Sequence, residues 1–507
     1  MNSFGSTPDI ETRGPAEDSG AGWSPKVILS LFSMALVLEL LSISYLLISV
    51  ALPQISANFH TTQSAWLLTS FLLLGAVTSP LIGRLADTHG KRKLLLWCIG
   101  LAAVGSLLSA LAPSFAILVV GRALTGMLSP TVFLVYTLIR DVFPPRTVAM
   151  SVSVSISGMG LVAIPAPFLA GWLIDNFGFR SLFWFTLICL VVLAPVIMLT
   201  TDESPVRLSS RLDWVGAVLL GLGLAGVLMA VSFGPDWGWT DASTVAYLVG
   251  GLVLMGAWLV SARRVKQPLI DTRLLMNRPV ALTALASGLV YGAIAVFTIV
   301  LPFMAMSPSE LGLGYGFGVD AEGFAYLQAP LAAATVLGGV VVGRLVKRVD
   351  PRVLMVVGLG LMAVGAAVTA LSHGNEGMVI VFGAIVGLGT GIGYASTPNL
   401  LLTVVPQSLQ ATTGALASVS QNVLPAVMPV IAFAVLNSHI ATVLQGQAFY
   451  SDTGISIGYL IAAGTAVVGV VAALALPRKT EASAELQELA AESGGSDTST
   501  PAAALLL

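Results

Sequence analysis

Residues 83–93 read Gly83-Arg84-Leu85-Ala86-Asp87-Thr88-His89-Gly90-Lys91-Arg92-Lys93, and they separate an uncharged apolar run at 65–82 from another at 94–112. Hydrocarbon imposes this layout, because a membrane helix must satisfy its own backbone and push its ions to its ends. The pattern recurs: Gly343-Arg344-Leu345 closes a later apolar run, and Lys347-Arg348 and Arg352 follow it. Val50-Ala51-Leu52-Pro53, read as the end of a first helix, is echoed by Val300-Leu301-Pro302. Two related halves separated by an insert near 212–265 explain both matches.

Working outward, the chain of 507 residues is 56% hydrophobic and only 9% charged, with a mean hydropathy of +0.92. Soluble domains carry about 25% charged residues, so most of this chain is expected to face lipid. Apolar runs long enough to cross a bilayer fall near 27–53, 65–86, 93–112, 114–139, 147–174, 181–200, 213–234, 243–262, 279–306, 321–346, 353–372, 377–405, 411–436 and 455–477. That is an all-α polytopic membrane protein with fourteen transmembrane helices. With that count, 21 of the 23 lysines and arginines fall on one side. Only Arg180 lies in an opposite loop and Arg122 within a helix. Basic loops face the cytoplasm, so both termini are expected there, in the plasma (inner) membrane of a bacterium.

The expected organisation is a cytoplasmic tail (1–26), a six-helix bundle (27–200) and a two-helix insert with flanking cytoplasmic loops (201–278). A second six-helix bundle (279–477) and a disordered cytoplasmic tail (478–507) complete it. Residues 1–25 are polar and mixed in charge, unlike a cleavable signal. Trp66, Trp172, Trp214, Trp237 and Trp239 fall at expected helix ends, as an interfacial aromatic belt requires.

Several chemistries find no support. A net charge of −2 without a basic stripe argues against nucleic acid. Cys98 and Cys189 lie inside apolar runs and read as packing residues. No His/Cys cluster has metal spacing, no Ser-His-Asp arrangement is visible, and no Walker loop is present. No cofactor, metal or enzyme activity is expected. Gly387-Leu388-Gly389-Thr390-Gly391 superficially matches a nucleotide loop, yet it sits mid-helix; with Gly383, Gly387 and Gly391 four residues apart, close helix packing is expected. Gly314-Tyr315-Gly316 falls in an outer loop and lacks the rest of an ion filter.

The 83–93 stretch, placed after a second helix on the basic side, resembles the signature of the major facilitator superfamily. The count of fourteen, Ala51-Leu52-Pro53 and Gln267-Pro268-Leu269-Ile270-Asp271 are similar to its fourteen-helix drug:proton antiporters, over residues 27–477. The resemblance implies an inner-gate motif of Gly83, Asp87, Gly90, Lys91 and Arg92. In it Asp87, Lys91 and Asp141 share a charge network, and Asp87 latches onto the positive N-terminus of a helix near Ala411. Arg122, in Gly121-Arg122-Ala123-Leu124-Thr125-Gly126, matches the family's helix 4 arginine, for which the resemblance implies proton coupling, although Thr125 replaces a glutamine. Ala166-Pro167-Phe168-Leu169-Ala170-Gly171 matches the antiporter motif of helix 5 with two glycines replaced by alanine; Pro167 and Gly171 still permit a bend and close packing.

Helix 1 departs most. The family's aspartate nine residues before the Ala-Leu-Pro proline is here Ser44. The one carboxylate deep in an expected helix is Glu39, and a carboxyl group away from water exchanges its proton near neutral pH. Glu39 is therefore the candidate coupling or cation-recognising acid, with a bond to Ser42 as the plain structural alternative. Glu39 and Ser44 lie on different faces at about 100° per residue. Candidate cavity-lining residues are Glu39, Ser42, Thr125, Ser155 and Asn399.

The leading expectation is proton-coupled efflux of drug-like or amphipathic small molecules by alternating access. The partners are then a small-molecule substrate, protons and the lipid bilayer, and a monomer is expected. A proton symporter or facilitator for a nutrient is the alternative, and a non-transporting membrane sensor or scaffold a third. The side assignment is testable in a background lacking Cys98 and Cys189: an impermeant maleimide should label Thr88→Cys and Arg348→Cys from one face and Ser309→Cys from the other. Labelling of positions 88 and 348 from opposite faces would overturn the two-half reading.

Overall fold

The computed structural model describes residues 23–148, 150, 151, 155, 164–205, 213–265, 278–346, 348–404, 410–444 and 447–476. Its helices are α1 (Pro25–Phe59), α2 (Trp66–His89), α3 (Lys91–Ala110) and α4 (Phe115–Thr125), the last running through a 3-10 turn (Gly126–Leu128) towards α5 (Thr131–Val142). Then follow α6 (Pro165–Phe177), α7 (Arg180–Thr200), α8 (Trp214–Trp237), α9 (Ala242–Arg264) and α10 (Arg278–Ala305). The remainder comprises α11 (Ala321–Leu345), α12 (Pro351–Ser372), α13 (Glu376–Val404), α14 (Gln410–Asn437), a hairpin β1 (Ile440–Leu444)–β2 (Gln447–Tyr450), and α15 (Asp452–Leu474).

Among the described residues twelve helices are long and apolar enough to cross a membrane, with α4 and α5 forming one span; α2, bent by 46° between Ser79 and Leu81, makes a thirteenth. The expected fifth span, 147–174, includes 152–154 and 156–163, which lie outside the described residues, as do 1–22, 206–212, 266–277 and 477–507. The protein is an all-α polytopic membrane protein.

Three expectations need correction. Ala51-Leu52-Pro53 does not end the first helix: α1 continues to Phe59 and stops where His60 takes a left-handed conformation, φ 48°. Membrane helices tolerate such an internal proline because surrounding groups satisfy the carbonyl it frees. The fourth span is not one helix, since its helical hydrogen bonding tightens at Gly126–Leu128. Trp66 is no belt residue; it is buried and its Nε1 donates to Ser232 Oγ on α8 at 2.9 Å, while Trp172, Trp214, Trp237 and Trp239 remain exposed.

Many of the few acids serve as helix caps. Asp213, Asp241, Asp320 and Asp350 accept from Gly216, Ser243, Gly323 and Arg352 backbone N–H groups at 2.7–2.9 Å, placing negative charge at the positive ends of α8, α9, α11 and α12. Glycine then sets the helix contacts. A Cβ at Gly387 or Gly391 would strike the backbone of Leu331 or Thr335 on α11, whereas one at Gly389 would strike Gly358 on α12. α13 is therefore pinched between two neighbours. Gly383 differs from the reading above: its Cβ side is open, and the tight approach begins one turn later.

One apolar cluster joins α1, α2, α4, α6 and α7 to α10–α15 through residues such as Ile55, Leu67, Ile174, Phe297, Phe324, Phe433 and Tyr459, and along the C-terminal helices it continues to Met355 and Leu476. Smaller clusters lie nearer the basic end. Leu31–Leu40, Leu95, Leu138 and Ile197 form a cluster of N-terminal helices, and Val342, Leu354 and Ile392 one of C-terminal helices. α8 and α9 lie beside α2 and α14: Leu228 of α8 clusters with Trp66 and Val430, and Ala217 with Leu81, Trp258 and Val280.

Substituting valine at Gly387 or Gly391 should cost about 1–3 kcal/mol or more by overpacking, while Gly383→Val should melt like the wild type. Thermal melts of the three detergent-solubilised variants check this.

Candidate functional site

The middle of the bundle is built from α1, α4, α5, α10 and α13. Arg122 of α4 is fully buried; its Nη1 donates to Ser44 Oγ of α1 at 3.0 Å and its Nε to the Leu67 carbonyl of α2 at 3.3 Å. The guanidinium lies over the Phe71 ring, 4.6 Å from the centroid, a cation–π contact that desolvation strengthens. Nη2 has no partner. Ser44, at the position where the resemblance calls for an acid, thus meets the arginine with a neutral hydroxyl. No carboxylate pairs with Arg122 among the described residues.

Glu39 is also buried, five residues before Ser44 on α1, and neither carboxyl oxygen has a hydrogen-bond partner. The bond to Ser42 considered above is not made. Ionising the group here would leave a bare charge in a low-dielectric setting, costing several kcal/mol. Tyr136 of α5 lies within electrostatic range of Glu39 and of Tyr291 on α10. Tyr291 stacks on Tyr394 of α13, with ring centroids 4.2 Å apart and planes at 29°. Tyr394 interacts in turn with Tyr45, and Tyr45 with Arg122. Four half-buried tyrosines from both sequence halves therefore lie in the region of Glu39 and Arg122, two of them in ring contact. Their signal in the sequence is a single phenol inside each of four apolar runs.

Other candidates are placed less centrally or turn inward on their own helices. Thr125 Oγ1 donates to the Gly121 carbonyl and Asn399 Nδ2 to that of Ala395. Ser42 is half-buried, and Ser155 is buried with no partner for its hydroxyl. Pro167 is buried on α6, and Gly171 lies against the backbone of Ala321 and Glu322 at the start of α11.

At the basic end, Lys91 Nζ meets Asp141 Oδ2 at 2.5 Å, with both side chains almost fully buried, and Ser204 Oγ donates to the same oxygen at 2.6 Å. Glu203, which the sequence reading passed over, accepts from the backbone N–H groups of Arg92 and Lys93 at 2.9 and 3.0 Å, capping α3. The Arg92 guanidinium returns to the carbonyls of Met198 and Thr201. Gly90 holds a φ of 112°, a value glycine supplies without strain, and so turns α2 into α3. Gly83 meets only the Phe133 ring, at ordinary contact distance. Asp87 is half-buried on the last turn of α2; the side chain of its expected partner near Ala411 lies outside the described residues.

The opposite end is tied across the halves. Asp175 Oδ2 of α6 accepts from the Glu322 N–H at the start of α11 at 2.9 Å, Asn437 Nδ2 donates to the Thr62 carbonyl at 3.2 Å, and Thr69 Oγ1 to that of Ala426 at 3.0 Å.

Membrane-spanning helices closed at one end over a polar, partly unsatisfied centre are the build of a solute transporter. The sequence model of the Major Facilitator Superfamily matches residues 32–429 and 283–501, and the chain belongs to that family. It is 28% identical over 425 residues to "Multidrug resistance protein Stp" of Mycobacterium tuberculosis, covering 82% of this chain and 76% of that protein. It is likewise 28% identical over 376 residues to the "Uridine/deoxyuridine transporter" of Lactococcus lactis subsp. cremoris, covering 70% of this chain and 75% of that one. Among solved structures, a peptide transporter POT in complex with sulfate superposes with a TM-score of 0.63 at 17% identity, covering 89% of this chain and 95% of the other. The protein is a multi-pass membrane transporter of small molecules.

Removing one partner of the buried Lys91–Asp141 pair, by Lys91→Met or Asp141→Asn, should destabilise the fold by about 3–5 kcal/mol. Removing both should cost less than the sum of the two. A double-mutant cycle on melting temperature tests this, and simple additivity would show the pair to be uncoupled.

Proposed function

We propose that this transporter is a proton-coupled exporter of drug-like, amphipathic molecules, with Glu39 as the group that takes up and releases the proton. The observation that carries this reading is a buried carboxyl group with neither oxygen bonded, set beside a tyrosine cluster shared by both halves. A carboxyl group that can be either neutral or charged according to its neighbours is what coupling needs. A large, mostly apolar centre with few polar groups suits amphipathic ligands. The multidrug resistance relative supports the substrate class.

In this reading the basic end faces the bacterial cytoplasm, both termini lie there, and the protein acts as a monomer in the plasma membrane. The halves 27–200 and 279–477 rock about the centre, with 201–278 as an insert. The apolar packing and hydrogen bonds that join the halves at the far end support a state closed to the outside. Asp87 then acts as the gate residue that engages when the basic end closes, beside a Lys91–Asp141 pair that is already formed.

A second reading is uptake of a nutrient by proton symport or facilitation. It is favoured by Ser44 in place of the family's acid and by the uridine/deoxyuridine relative. Efflux from vesicles with an imposed pH gradient separates the two. Glu39→Gln should abolish proton-driven flux while leaving gradient-independent counterflow intact; unchanged proton-driven flux would reject the role of Glu39. Accumulation in the direction of proton entry would instead select symport.

A further inference from the structure

Arg122 is a buried cation with unused donors and no acid beside it. Nη1 and Nε are occupied by Ser44 Oγ and the Leu67 carbonyl, both neutral, and Nη2 is free. Glu39 does not supply the counter-charge, since its own oxygens are unbonded. The Tyr45 hydroxyl is buried without a partner and lies within electrostatic range of the guanidinium. Ser44 accepts from Nη1 and so retains its own hydrogen to donate. The Phe71 ring covers one face of the guanidinium and keeps water from it. Three kinds of donor thus gather around one positive charge: an arginine N–H, a phenol and an alcohol. Buried ions are matched by an opposite charge or shed their own, and arginine keeps its charge.

We propose that Arg122, Ser44 and Tyr45 form a subsite for one monovalent anion, either the carboxylate of a transported amphiphile or a chloride ion. The guanidinium supplies the charge through Nη2, and the two hydroxyls complete the shell. Tyr45 lies within electrostatic range of Tyr394, which stacks on Tyr291, so a carboxylate held here leaves the rest of its molecule near aromatic rings. The carboxylate version rests on the transport reading above; the chloride version does not.

The test is a thermal melt of the purified full chain at constant ionic strength, with sodium HEPES replaced stepwise by sodium chloride or by sodium benzoate. A saturable rise in melting temperature is expected for at least one anion, because a ligand that binds only the folded state stabilises it by mass action. A response to chloride assigns a free ion, and a response to benzoate alone assigns a substrate carboxylate. Ser44→Asp brings its own carboxylate to Nη1; it should melt higher without added anion and lose the response. Tyr45→Phe should fold and shift the anion midpoint upward several-fold. No saturable rise with either anion overturns the proposal, as does an equal rise in Ser44→Asp. Should Ser44→Asp fail to fold, an unchanged midpoint in Tyr45→Phe overturns it as well. The melt reads binding without transport: absence of a shift alongside Glu39-dependent flux removes the subsite alone, and a shift in a chain that moves nothing removes the exporter reading alone.

Discussion

Hydrocarbon offers no hydrogen-bond partner, and that constraint organises this chain from backbone to site. It forces the spans into helices. It also makes most buried alcohols consume their own hydrogen locally: Thr78, Thr137, Thr298, Thr369, Thr390 and Ser396 each donate to the carbonyl one turn back. Against that background the polar atoms left over are informative, because buried groups are normally satisfied. Glu39, Tyr45 and the Nη2 of Arg122 are among them, and they belong to one region. Lysines and aspartates elsewhere are paired, capping or at the ends; the middle retains what a travelling solute can use.

What sequence could show followed from local composition. Apolar runs, the alternation of basic loops and the repeated Gly-Arg-Leu all arise from nearest neighbours along the chain, and the family assignment rests on the same residues. What it could not show depends on contacts between remote segments. Tyr45, Tyr136, Tyr291 and Tyr394 share no local pattern and meet only through packing. Glu203 lies 111 residues from Arg92, whose backbone it caps. Trp66 misled because a tryptophan at a helix end suits a lipid interface as well as it suits a neighbouring helix. Glu39 was legible because an acid inside an apolar run is rare; that it would have no partner was not.

The two ends use one device. A carboxylate at a helix N-terminus gains about 0.3–1 kcal/mol, and up to about 2 when partly buried. Asp175 spends this on α11 at the closed end, and the sequence offers Asp87 for the same purpose at the other. Such a contact holds a conformation yet yields to a modest competing interaction. The larger, mostly fixed terms are the glycine-tight contacts of α13 with α11 and α12 and the buried Lys91–Asp141 pair within the N-terminal helices.

The extra helix pair α8–α9 breaks the bundle's approximate twofold balance. Ser232 is bonded to both Trp66 and Gln63 of the segment leading into α2, while α8 meets Val423, Val427 and Val430 of α14 through aliphatic side chains. The pair is thus held to the start of α2 by hydrogen bonds and to α10 and α14 by apolar packing. It also shutters one flank of the barrel, along α2 and α14, against lipid. At the seam of α6 and α11, by contrast, Phe168 meets Tyr326 edge to face, and Trp172 and Tyr326 stand exposed.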